Sequence, residues 1–323
     1  METIVFTESQ EDIVQPKGGL VVELPQAEDH VLGATGPEFS VLQEDGQWHA
    51  FLPDPELQRN DNGDTFMCVT FSLNNAHEAV LKRLYGEAPN FSDLCLGVAS
   101  GTVRGRGNTK RAVADTKRLE GCCLEGEYPY LKTTTLDQAY APLPDDVRKK
   151  AKRQLDFFQF AYKWLSDNSA QSLKQGLKYS PLQVDVLGSY KVGPKGYIVF
   201  DANNPTYNHE VVVVGYEEGA CWHVFDSESQ QLLKFDWWYP FGSPMVHGAS
   251  KTSKVEILKE KGKPALAVKH VSQPALIAFS GGPVVGEDLF KSLYGIQSFV
   301  QLPIKEVDRF PFPVGYLLNT VKA

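Results

Sequence analysis

Apolar residues recur along the chain in two rhythms, and the change from one to the other divides it. In CVTFSLNNAHEAVLKRLYG, residues 68–86, Phe71, Ala76, Val80, Leu81 and Leu84 fall at near-helical spacing and Gly86 supplies a stop. A second helix is predicted over Thr109–Leu119. A surface helix is predicted over residues 144–166, with Asp145 and Asp146 near its start, and Ser169 is predicted to cap another short one. After LKYSP the rhythm shortens. The runs LQVDVLG (182–188), GYIVFDA (196–202), EVVVVGYEE (210–218), CWHVFDS (221–227) and LLKFDWW (232–238) read as strands separated by turn residues. Helices followed by antiparallel strands predict an α+β fold with a seam between two halves, a frequent place for an active site.

The ends are less regular. Residues 1–60 mix short apolar runs with Pro, Gly and Asp and read as extended arms and loops. Beyond Pro240, the Lys-rich stretch HGASKTSKVEILKEKGKPA (247–265) is expected to be a linker or hairpin, and GEDLFKSLYG (286–295) a helix. The expected division is a main domain over 1–245 with an N-terminal arm, and an accessory module over 246–323. There is no internal repeat at a fixed period.

Charge narrows the partners. The chain has 323 residues, with 32 Lys and Arg against 40 Asp and Glu, a net charge of -8. Such a balance argues against general binding to nucleic acid or an anionic membrane. The basic stretch RGRGNTKR (104–111) is short enough for a solvated loop. No apolar run approaches the ~20 residues of a membrane span, and the acidic N-terminus does not look like a secretory signal. The five cysteines, Cys68, Cys95, Cys122, Cys123 and Cys221, are too few and too unevenly placed for a disulfide framework. No Cys-x-x-Cys pair is present, so a zinc site is not expected. A reducing, cytoplasmic setting fits best.

The chemistry concentrates in three residues. Cys68 stands at the start of the first predicted helix, where the helix dipole favours a thiolate. His209 opens the apolar run EVVVVGY, a place that a core would hardly give to an imidazole without a task. Asp226 ends the following strand, 17 residues on. Two antiparallel strands joined by a short turn would bring His209 and Asp226 together, the carboxylate orienting the ring and stabilising its charged form. Taken singly, each has a plainer reading: a core thiol, a structural histidine, a strand-end turn. Cys95, Cys122, Cys123 and Cys221 read as core thiols, His77 as exposed on the polar side of the first helix, and FDWWYPF (235–241) as packing between halves.

Four stretches in order resemble the papain family of cysteine peptidases. CVTFS is similar to that family's CWAFS. FSDLCLGVASG, followed by GNTKRAVADTKRLEGCCLEGEYPY, is similar to its stretch from LSEQ to YPY. NHEVVVVGY is similar to its NHAVxxVGY. The match covers roughly residues 55–240, and Cys68 and His209 lie 141 positions apart (209 minus 68), within the ~130–150 of that family. The resemblance implies a helical lobe facing an antiparallel β-barrel lobe, with residues 246–323 as a β-rich extension. It implies a polypeptide substrate, no cofactor, and catalysis through an acyl-enzyme by Cys68, His209 and Asp226. The Cys68 backbone N–H and a side-chain amide would hold the oxyanion. Asn62 stands six before Cys68, where the family has Gln, and Gln58 stands ten before, so either is a candidate. Gly107, or a neighbour in GRGN, matches the wall along which substrate backbone lies. Glu210 would border the specificity pocket and, facing the cleft, would favour a basic side chain. Asp226 replaces the usual Asn, and the Trp that follows it in the family is absent. The compact papain-like proteins of tailed phages are the nearest comparison, with a virion-associated location as the corollary. Two rivals are a structural or interaction protein that kept the fold without turnover, and another Cys-His-Asp enzyme such as an acyltransferase or cell-wall amidase. No long pro-segment with a helix is evident.

Overall fold

The computed structural model describes residues 18–26, 29–33, 39–229, 231–252, 256–260, 263–267, 299–301 and 316–318. Its first strands, β1 (Arg59–Asn60) and β2 (Gly63–Asp64), form a tight hairpin just ahead of α1 (Cys68–Tyr85). Helix α1 starts and stops where its spacing predicts, Gly86 closing it in the left-handed conformation at φ 80. Helix α2 (Asp93–Ala99) begins at Ser92, whose hydroxyl accepts from the Cys95 N–H. In α3 (Lys110–Glu120), Thr109 accepts from the Ala112 N–H, a cap of the kind that contributes ~1 kcal/mol. Helices α4 (Leu136–Ala139), α5 (Asp145–Gln154) and α6 (Ala170–Leu177) complete the set among the described residues, α6 capped by Ser169 as its sequence predicts.

Eight strands form one sheet: β3 (Phe158–Trp164), β4 (Leu182–Leu187), β5 (Lys191–Val192), β6 (Ile198–Val199), β7 (Tyr207–Glu217), β8 (Cys221–Asp226), β9 (Gln231–Asp236) and β10 (Gly242–Lys251). Their order is β3-β10-β4-β7-β8-β9-β6-β5. All pairs are antiparallel except β6 with β9. The sheet is open rather than the closed barrel that the family resemblance implies. Strands β3 and β5 are its edges, and no ladder joins them among the described residues. Two separate hairpins follow, β11 (Glu256–Glu260) with β12 (Lys263–Ala267), and β13 (Phe299–Gln301) with β14 (Tyr316–Leu318).

The surface helix expected over 144–166 ends at Gln154, and Phe158–Trp164 is strand instead. Phe158, Phe160, Tyr162 and Trp164 alternate with other residues, which suits a pleated edge strand. Its partner β10 lies some 90 positions downstream, outside any local window. Strand β10 crosses the 245/246 position at which the sequence divides the chain, and the first residues of the expected linker belong to the main sheet. The helix expected at 286–295 lies outside the described residues.

The main core runs between α1 and the sheet. Leu73, Ala76 and Val80 of α1 share one buried cluster with Val184 of β4, Val211 to Val214 of β7, and Trp222 and Val224 of β8. The aromatic run 235–241 joins that cluster. Trp237 stacks on Trp222 at 4.5 Å, while Trp238 is left exposed. All five cysteines are buried. His77, expected at the surface, is buried as well, because α1 is covered on both sides as far as Leu81 and its polar residues up to there have no solvent face. Packing α1 across β4, β7 and β10 sets its first residue against the start of β7.

Candidate active site

The approach to Cys68 is a strained elbow. Phe66 has a positive φ of 53, a conformation that costs a bulky residue on the order of 1–3 kcal/mol. Its N–H donates to Asp64 Oδ1 at 2.7 Å, and the Tyr140 hydroxyl donates to the Thr65 carbonyl, which together hold the bend. Cys68 is then the first residue of α1, with no acidic side chain in that turn to oppose the helix dipole. The backbone of Glu210, directly after His209, stands close enough to the sulfur to favour its ionised form, against the burial. The helix start and the strand start therefore meet at the sulfur.

His209 and Asp226 meet as the hairpin geometry predicts. His209 Nε2 lies 2.9 Å from Asp226 Oδ1, and both residues are fully buried. The carboxylate is held in turn by the Tyr190 hydroxyl at 3.1 Å on Oδ2 and the Glu228 N–H at 3.0 Å on Oδ1. The contact with Asp226 through Nε2 fixes the orientation of the ring. Around Cys68 the field opposes ionisation. Burial, then the charge of Glu210, push the thiol well above its ordinary value, and Asp64 and Glu228 add to this. Burial lifts Glu228 itself to about 8.

Of the two candidate oxyanion amides, only Gln58 lies beside these groups. It is fully buried, its Nε2 donates to Asp64 Oδ1 at 3.0 Å, and its Oε1 accepts from the Ser227 hydroxyl at 2.9 Å, next to Asp226. One of its two amide hydrogens goes to Asp64, which leaves the second for another acceptor. Asn62 sits exposed in the β1–β2 turn, donating to the Thr134 carbonyl at 3.2 Å. Glu210 does not face solvent. Its carboxyl is 0% exposed and 3.7 Å from Lys110 Nζ, which also bonds Asp185. Burial pushes Glu210 well above the usual carboxylate range. Selection of a basic substrate side chain by this carboxyl, as expected from sequence, has to contend with Lys110 already in that place.

No family model matches the chain, and no curated protein matches it. Solved structures do. Xylellain, a cysteine protease from Xylella fastidiosa, superposes with a TM-score of 0.50 at 19% identity, covering 72% of this chain and 97% of that one. The clostridial cysteine protease Cwp84, after propeptide cleavage, superposes with a TM-score of 0.50 at 15% identity, covering 65% of this chain and 58% of that one. The chain has a papain-like fold. At these identities the likeness carries the architecture, and the chemistry has to be argued from the residues.

What lies across the papain-like cleft is the part that sequence reading missed. Residues 18–24 run over Cys68, between the Gly107 loop and the start of β7. The Leu20 N–H donates to the Asn208 carbonyl at 3.1 Å, the Val21 N–H to the Asn108 carbonyl at 2.8 Å, and the Asn108 N–H to the Gly19 carbonyl at 2.9 Å. The pairing of Leu20 with Asn108 is parallel. Further on, Glu23 accepts the Arg111 N–H at the start of α3, and Arg111 reaches Asp29. Both glycines at the crossing are required by close approach. A Cβ on Gly107 (φ 87) would lie 1.7 Å from the Gly19 carbonyl oxygen, and one on Gly19 (φ 123) would lie 3.0 Å from Cys68 Sγ. The pair Gly18–Gly19 was the available signal. Tyr190 and Ser227, which hold Asp226 and Gln58, carried none, since each works only through long-range contacts.

Proposed function

We propose that the chain is a thiol-dependent peptidase that acts through an acyl-enzyme and is latent while residues 18–24 cover Cys68. The observation that carries this reading is the His209–Asp226 pair at 2.9 Å, set where the first residue of α1 lies beside the start of β7. In this reading Cys68 attacks the peptide carbonyl carbon while His209 takes its proton. The C–N bond breaks as the imidazolium returns that proton to the leaving amine. A water then releases the acyl group, with His209 again as base. Asp226 positions the ring. The Cys68 backbone N–H and the spare Gln58 amide hydrogen hold the oxyanion, and the Gly107–Asn108 backbone pairs with substrate in place of the arm.

The arm gives the buried thiol a physical role in latency. Covering the sulfur excludes substrate and also raises the cost of forming a thiolate. Removing the cover restores solvent to the site, which favours the ionised pair.

A second reading is favoured by the acidic groups near the thiol, Glu210, Asp64 and Glu228, whose ionised forms oppose both a thiolate and an oxyanion. Under it the chain is a binding protein with a papain-like fold and no turnover. A fluorogenic peptide library incubated with a form lacking residues 1–24 separates the two. Turnover that disappears in Cys68→Ala supports the peptidase. A well-folded truncated form with no turnover above the Cys68→Ala background, across the library, supports the binding protein.

A further inference from the structure

At the end of β7 opposite His209, the turn EEGACWH places Glu217, Cys221 and His223 on one face of the hairpin. Glu217 and Cys221 are cross-strand partners, and Cys221 and His223 are two residues apart on β8. One ligand atom from each lies within 4.8 Å of the other two. His223 Nε2 and Glu217 Oε1 are 3.2 Å apart, close to the ~3.3 Å between an N and an O ligand on a tetrahedral zinc ion. Cys221 and His223 are buried, while Glu217 is half exposed and gives access from solvent.

The histidine is oriented from behind. His223 Nδ1 is 2.8 Å from His49 Nε2, the kind of outer contact that fixes the ring of a metal-ligating histidine. Room for this contact comes from Gly215, which pairs with His223 across the β7–β8 ladder at a register shift. A Cβ there would lie 2.6 Å from His49 Cε1 and 2.3 Å from Gln47 Oε1. The Trp48 N–H donates to the Val214 carbonyl at 2.8 Å and Gln47 Nε2 to the Tyr216 carbonyl at 3.0 Å, which lock the segment beside the ring.

We propose that Glu217, Cys221 and His223 form a site for a divalent cation that accepts nitrogen, sulfur and oxygen together, zinc being the representative, with a fourth position open to water. The missing Cys-x-x-Cys pair does not count against it, because the ligands are gathered by the hairpin as Glu-x3-Cys-x-His. Protons balance as follows. Without the ion, His223 Nε2–H donates to Glu217 and His49 Nε2–H donates to His223 Nδ1. With the ion, both rings change tautomer, so that His223 donates from Nδ1 to His49 and offers its Nε2 lone pair to the metal. The Cys221 thiol proton leaves to buffer. Lys234 competes with the ion, since its Nζ stands 2.8 Å from Glu217 Oε1.

The probe is Co2+ titrated under reducing conditions into the full chain carrying Cys68→Ser, which removes the other candidate thiol. The expected result is a thiolate-to-cobalt charge-transfer band that saturates at a single ion, is displaced by Zn2+, and is lost in Cys221→Ser. Affinity falls about tenfold or more in His49→Gln and Glu217→Gln and rises in Lys234→Met. Absence of the band in the Cys68→Ser chain overturns the proposal, as does a band that survives in Cys221→Ser. Should Cys221→Ser fail to fold, the surface changes at Glu217 and Lys234 decide, and a band of unchanged affinity in both overturns the site.

Discussion

Helix α1 carries a buried imidazole near each side, and the two regions are wired in opposite ways. At its N-terminal end, His209 is fully buried and bonded to the Asp226 carboxylate. On its far flank, His77 and His247 are equally buried, 5.1 Å apart and edge to face, and neither ring meets a carboxylate among the described residues. Burial lowers both, Lys117 lowers them further, and His247 is driven to about 3. Equal burial thus leaves a carboxylate-bonded ring in one place and, in the other, a pair whose proton affinity is lowered. The partner, not the depth, marks the candidate for chemistry.

The sharpest way to break this contrast is at His209. His209→Ala is expected to lower peptide turnover of the form lacking residues 1–24 by about 10²–10⁴-fold, whereas His77→Gln leaves turnover near that of the parent; steady-state assays of both check this. Asp226→Ala is expected to cost about 10²-fold, through a misplaced imidazole rather than a lost group. In kinetics, kcat falls and KM changes little.

Opening the cover comes next. Three backbone hydrogen bonds hold the crossing of the arm. At about 1 kcal/mol each, their loss corresponds to about a hundredfold in the open fraction, so truncation should accelerate epoxide labelling of Cys68 by about that factor, read by mass spectrometry. Gly19→Val acts in the same direction and more weakly, since its side chain would press on Cys68 Sγ and the Phe66 carbonyl.

The smallest effect lies on the far flank and concerns stability. In the unfolded chain His77 and His247 take up protons near pH 6.5, and in the folded chain only far lower. Between these values the unfolded state binds more protons, so stability falls as pH drops from about 6.5 toward about 3. The slope approaches about 1.4 kcal/mol per pH unit for each ring. Lys117, Glu78 and Asp93 titrate in the same cluster. Comparison of His77→Gln/His247→Gln with the parent cancels their share, and denaturant unfolding at several pH values should show a flatter acid slope for the variant.

Local pattern sufficed where a contact follows from neighbouring elements. Helix α1, the β7–β8 hairpin and the approach of His209 to Asp226 needed only helical spacing, a short turn and strand alternation. Strand β3 was misread because its defining partner, β10, is remote, and an aromatic run by itself fits helix or strand. His77 was misplaced because a helix covered on both sides buries its polar face as well, which its own sequence does not reveal. The arm was missed for a third reason. It has no periodicity, and its contacts with Asn108 and Asn208 span most of the domain. The open sheet departs from the barrel implied by resemblance, since closure depends on edge strands that similar motifs do not specify.

The central claim, that His209 activates Cys68 once the arm is removed, is tested most directly by the pH dependence of Cys68 alkylation in the form lacking residues 1–24. The account predicts rapid modification that persists below pH 7, where a free thiol of pKa ~8.5 reacts slowly, and a shift of that profile to alkaline pH in His209→Ala. Identical profiles for the two proteins, both rising only as an ordinary thiol ionises, would contradict it.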